Sequence, residues 1–178
     1  MGLVALSSKD PEGDFMFKSV SLMVIAALVL TGCASASASE FAADGSCDGV
    51  RVTVNFAGLG QDVSSCVLIG GDAATAKDVL SAAGVSTEGT KAYGDMVLCR
   101  VNGVPGKNQQ IVISGGEPYV ETCQELPAAF AYWGFYLRAS GTTDWVFAPE
   151  AVTDLLVRHG DSIGLAFSLG GTALKPTD

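Results

Sequence analysis

The spacing of hydrophobic and polar positions changes several times along the chain, and each change marks an element. From Val20 to Leu30 the residues form an apolar run. Further on, Val50, Val52, Val54 and Phe56 alternate with Arg51, Thr53 and Asn55, the period of two that predicts a strand with one buried face. "SSCVLIGG" reads as a second strand, with Gly58 and Gly60 marking a hairpin loop between the two. In "TAKDVLSAAGV" the period lengthens to that of a helix, placing Ala76, Val79, Leu80 and Ala83 on one face. Thr75 and Asp78 are positioned to cap its start and Gly84 to end it. After a polar loop, "MVLCRVNGVPG" predicts a strand running into an Asn102-Gly103 turn. A minor strand is expected at Ile111 to Ile113, and another strand at Tyr132 to Arg138. A last strand, "SIGLAFSL", follows the turn His159-Gly160-Asp161 and sets Ile163, Leu165 and Phe167 on one face. No internal repeat is present.

Two strands, a helix and then further strands is the order of a β-grasp domain, an α+β fold in which a mostly antiparallel sheet wraps one helix. The chain has 178 residues, 48% of them hydrophobic and only 16% charged, which suits one compact domain with some chain to spare. Cys47, Cys66, Cys99 and Cys123 fall within the expected domain, and an even number of cysteines in an exported chain predicts two disulfides. Of the three connectivities, Cys47 to Cys66 with Cys99 to Cys123 closes the shorter loops and is the expected one. A zinc site would need Cys-x-x-Cys spacing or nearby histidines, and His159 is the only histidine, so no metal is expected.

The spare chain lies at the start. Lys18, the apolar run and Leu30-Thr31-Gly32-Cys33 together resemble a bacterial lipoprotein signal. The run is too short to cross a hydrocarbon core of about 30 Å as a stable helix. Thr31 and Gly32 are small enough for the groove of a signal peptidase, and Cys33 supplies the thiol for the lipid. Met1 to Phe15 carries Asp10, Glu12 and Asp14 against the single Lys9, the wrong sign for a signal's leading region, so Met16 is the expected start. The expected organisation is a signal region at 1–33, an Ala/Ser tether at 34–46, a folded domain at 47–172 and a tail at 173–178. The expected location is the extracytoplasmic face of a bacterial membrane. From Cys33 onward sixteen acidic residues outnumber eight basic ones, so lipid rather than charge would hold the protein there.

The formal charge of −9 and the lack of any Lys/Arg cluster exclude a nucleic-acid surface. Catalysis finds little support. No nucleophile elbow is present, and "FAGLGQ", "LIGGDAAT" and "ISGGEP" lack the pattern and lysine of a phosphate loop. His159 sits in a predicted turn, and neither Asp144 with Glu150 nor Asp154 with Asp161 has a spacing that would set opposite protonation states. The expectation is a non-enzyme without cofactor.

The chemistry-bearing stretch is "AYWGFYLRASGTTDWVF", which with Phe130 holds seven of the fourteen aromatic residues. Strand alternation sends Trp133, Phe135 and Leu137 to the core and Tyr132, Tyr136 and Arg138 to the other face, where Trp145 can return beyond the turn. That second face serves either as ordinary sheet surface or as a platform for a flat or anionic ligand. "LCRVNGVPG", this aromatic stretch and "VRHGDSIGLAFSL" together resemble the family of the transcobalamin C-terminal domain, including secreted bacterial relatives of uncharacterised function. The likeness spans roughly Val50 to Leu169. Its motifs are Cys99-Arg100-Val101-Asn102-Gly103-Val104-Pro105, the Tyr132-Trp133 pair and the closing Gly160-Asp161 turn. The resemblance implies a β-grasp fold and a soluble-ligand-binding role, with cobalamin or a related corrinoid as candidate ligand. It also implies a separately encoded helical-barrel protein or a transporter permease as partner. The competing expectation is a surface module that binds another protein.

Overall fold

The computed structural model describes residues 36–177, all within the compact unit Cys33–Asp178. The expected signal region, the expected start at Met16 and the expected lipidation site Cys33 lie outside the described residues. In chain order the elements are β1 (Ser37–Ser39), β2 (Val50–Asn55), β3 (Val63–Leu68), β4 (Ala74–Thr75), α1 (Ala76–Ala82), β5 (Thr87–Thr90), β6 (Gly94–Val101), β7 (Ala131–Arg138), β8 (Val146–Phe147), β9 (Leu156–Val157) and β10 (Ser162–Leu169). The fold is α+β. A six-stranded sheet runs β1-β3-β2-β10-β7-β8, and two-stranded pairs β4-β9 and β5-β6 lie beside it. Within the large sheet only β10 with β2 is parallel. Among the described residues no helix is long and apolar enough to cross a membrane.

Alternation explains the inner face. Val50, Val52 and Val54 of β2, Ile163, Leu165 and Phe167 of β10 and Trp133 of β7 are buried against Ala76, Val79 and Leu80 of α1. Each such side chain contributes about 1.5 to 3 kcal/mol. Trp133 meets Phe56 and Phe167 edge-on, with ring centroids 5.1 and 5.2 Å apart. The helix starts as its sequence dictates: the Thr75 hydroxyl accepts the Asp78 N–H at 3.1 Å and donates to the Asp78 carboxylate at 2.7 Å. It stops at Gly84, whose φ of +74° an L side chain resists. Both expected disulfides are formed, with Cα atoms 5.6 Å apart for Cys47–Cys66 and 5.5 Å for Cys99–Cys123.

Four local expectations need correction. Ile111 to Ile113 is not a strand, because Ile111 makes only an isolated bridge to Tyr119. The polar loop before β6 instead contains β5, which pairs with β6 through a bulged register. Thr87, Glu88 and Gly89 carry no apolar alternation, so backbone pairing decides this strand. The stretch expected as tether includes β1, which pairs with β3 from Ser37↔Leu68 to Ser39↔Cys66; the Ala/Ser sequence hides it. The expected tail folds back over the sheet, with Pro176 buried.

Candidate functional site

The outer face of the large sheet is built in rows. Across β2, β10 and β7 the rows read Arg51–Ser162–Arg138, Thr53–Gly164–Tyr136 and Asn55–Ala166–Gly134, and Phe147 of β8 extends the middle one beyond Tyr136. Gly164, Gly134 and Ala166 leave a furrow along the middle. The Tyr136 ring lies over Gly134 and stacks on Phe147 with centroids 4.5 Å apart. The tip of Trp145 stands 3.2 Å from where a Cβ on Gly164 would be. The Arg138 guanidinium rests 4.5 Å above the Trp145 ring, and its Nη2 donates to the Ser162 hydroxyl at 3.3 Å.

All four expected site residues, Tyr132, Tyr136, Arg138 and Trp145, therefore share this side of the sheet. They do not form an open platform. Tyr136 is 1% and Trp145 7% exposed, while Tyr132 and Arg138 are half-buried. The cover is the returning segment: Pro176 sits on Gly164 where a side chain would otherwise stand. Leu174 N–H donates to the Ser168 hydroxyl at 3.0 Å, and Thr177 N–H to Asn55 Oδ1 at 2.8 Å. Burial, helped by the neighbouring Tyr132, pushes the Tyr136 phenol above its ordinary range. Among the described residues its hydroxyl and that of Thr53, both buried, have no hydrogen-bond partner.

A second feature, not anticipated from the sequence, is a groove of about 240 Å³ along the sheet edge. One wall is the start of β6, Asp95 to Leu98; the other is β7 from Tyr132 to Phe135, with Phe147 and Ala148. Met96 is 78% and Phe147 57% exposed, large apolar side chains left in water at its rim. The Lys77–Asp95 ion pair, 2.7 Å long, ties this end of β6 to α1. Of the four expected residues only Tyr132 reaches the groove. An exposed methionine within an alternating strand was the available signal, but only the fold brings it opposite β7 and β8. A wider depression of about 590 Å³ beside α1, including Ile69, Thr75, Asp78 and Leu156, carries no aromatic or cationic group.

The remaining polar groups serve the scaffold. Buried Arg100 donates to the carbonyls of Pro105 at 2.9 Å and Glu121 at 2.7 Å, and to Glu88 at 3.0 Å. Glu121 accepts the Tyr119 hydroxyl and the Cys123 N–H, each at 2.6 Å. Glu88, Cys99 and Cys123 place three donor atoms within 4.8 Å, but the two sulfurs are joined to each other and offer no thiolate. Both ring nitrogens of His159 face carbonyls, Asp48 O at 2.8 Å and Gly71 O at 3.1 Å, so the imidazole clasps two loops. Asp161 accepts the N–H groups of Ser140 and Arg158, each at 2.9 Å, and fixes the turn. Comparison of the chain with protein-family models, curated proteins and solved structures returns no match.

Proposed function

We infer that this protein is a non-catalytic extracytoplasmic binding module, tethered by a lipid on Cys33, whose edge groove captures a soluble ligand. The observation that carries this reading is the pairing of exposed Met96 and Phe147 across a groove lined by Tyr132 and Phe135. Apolar surface left in water this way is recovered by an apolar or ring-bearing ligand. Two disulfides accord with an exported chain. A hairpin, a helix and a sheet in which β10 runs parallel to β2 and antiparallel to β7 support the β-grasp reading. The resemblance to the transcobalamin C-terminal domain makes corrinoids the first ligands to test.

So shallow a groove covers one side of a ligand. Binding by this chain alone is therefore weak, with a Kd near 1 μM or above, about −8 kcal/mol at best. A helical-barrel protein or a permease would close the other side. Calorimetric titration of the full chain with cobalamin and other corrinoids tests the reading: heat of binding is expected, and Met96→Asp should weaken it about tenfold by placing a charge at the apolar rim. Binding unaffected by Met96→Asp would move the site elsewhere. The competing reading, a protein-binding module, draws on the same apolar rim together with exposed Val146 on β8. It predicts no heat with small molecules and specific capture of one partner protein through the same edge.

A further inference from the structure

The segment over the outer face covers its furrow without matching it. Thr53 and Tyr136 lie opposite Gly164 on its two sides, and the ring of Pro176 occupies the space above that glycine. Both flanking residues are buried, at 2% and 1% exposure, with the Tyr136 hydroxyl reaching over Gly134, and among the described residues neither hydroxyl has a hydrogen-bond partner. A proline has no N–H to give, and the part of Pro176 that lies over Gly164 is its apolar ring. The cover is also lightly held. Leu174, Lys175 and Thr177 are exposed, residues 172–177 belong to no helix or strand, and among the described residues Ser168 and Asn55 clasp the segment's backbone through their side chains. Beneath it the β10 floor, Gly164 and Ala166, has no side chain larger than a methyl, and Tyr136 braced by Phe147 and Trp145 braced by Arg138 pack on Ala166 beside it.

We propose that this furrow is a second binding site, distinct from the edge groove, for a flat aromatic molecule bearing hydroxyl groups, and that Leu174–Thr177 is a displaceable strap occupying it when the ligand is absent. A planar ring takes the place of the proline ring against Trp145. Its hydroxyls give Thr53 and Tyr136 the partners the strap withholds, since each of these hydroxyls both donates and accepts. Segments with few buried contacts open locally at little cost, so exchange of strap for ligand needs no change in the sheet. Ligand affinity is reduced by the fraction of time the strap is closed.

The test compares 2-naphthol with naphthalene on the full chain, by fluorescence titration and by amide hydrogen exchange. 2-Naphthol should bind about tenfold tighter than naphthalene, the discrimination expected of one buried hydrogen bond. When it saturates the protein, the Leu174 and Thr177 amides should exchange about tenfold faster or more, because the strap has left the face. Tyr136→Phe should remove most of the preference for 2-naphthol over naphthalene. The faster exchange of the strap amides and its dependence on Tyr136 report the furrow alone, whereas Met96→Asp reports the edge groove, so failure of the groove assignment and failure of this one are distinguishable. The proposal is overturned if 2-naphthol does not bind, if it binds while the strap amides keep or gain protection, or if Tyr136→Phe leaves the preference intact.

Discussion

The Trp133 indole N–H donates to the backbone carbonyl of Val104 at 2.9 Å, tying the centre of β7 to the loop after β6. That loop turns at Asn102 and Gly103, both with positive φ, as an Asn-Gly turn requires. Trp133 thus joins the sheet's core to the "CRVNGVP" motif. Trp133→Ala should cost about 3 to 5 kcal/mol, combining lost burial with a cavity between Phe56 and Phe167. Trp133→Phe should lose less, about 1 kcal/mol for the indole hydrogen bond, because the Val104 carbonyl keeps the Val101 N–H at 3.0 Å. Urea unfolding monitored by far-UV circular dichroism separates the two values.

Cys99–Cys123 holds the segment around buried Glu121 against β6, while Cys47–Cys66 ties the entry to β2 onto β3. Peptide mapping without reduction should return these two pairs and no Cys66–Cys99 peptide. Replacing both members of either pair with Ser should cost about 3 kcal/mol by the loop-closure account. Of the two, Cys99→Ser with Cys123→Ser should do the wider damage, since Glu121 and the Arg100 contacts depend on that segment.

Tyr136 is raised chiefly by burial and secondarily by Tyr132. Its folded-state value lies above the unfolded one of about 10. The stability linked to the neutral phenol is therefore complete below that value and is lost as pH rises through the folded value. Tyr136→Phe should flatten the alkaline fall in stability above pH of about 10. At neutral pH it should also raise stability by about 1 kcal/mol, because it deletes a buried hydroxyl that has no partner among the described residues. Thermal melts of the two proteins from neutral to alkaline pH check both statements; a neutral-pH loss with Tyr136→Phe would mean that the hydroxyl has found a partner in solution.

Lipidation is tested in cells. Cys33→Ser should abolish labelling by a radiolabelled fatty acid and leave uncleaved precursor, whereas labelling that persists would place the anchor elsewhere.

Local chemistry was enough for much of the scaffold. Alternation of Val50, Val52 and Val54 against Arg51 and Thr53, the Thr75/Asp78 cap and the Asn102-Gly103 turn are each dictated by neighbours a few residues apart, and each reads directly from the chain. The even cysteine count with short-loop preference likewise named both disulfides. What the chain alone did not reveal depends on contacts between distant residues. β1 and β5 form because backbone groups find partners on β3 and β6, with no hydrophobic period to announce them. Alternation correctly placed Tyr136 and Arg138 on the face away from the core, but exposure was a separate matter, decided by Pro176 lying on Gly164 and by Trp145 closing against it. A period of two specifies which side of a sheet a residue takes; whether that side meets water depends on which remote segment packs over it, and only the tertiary structure settles that.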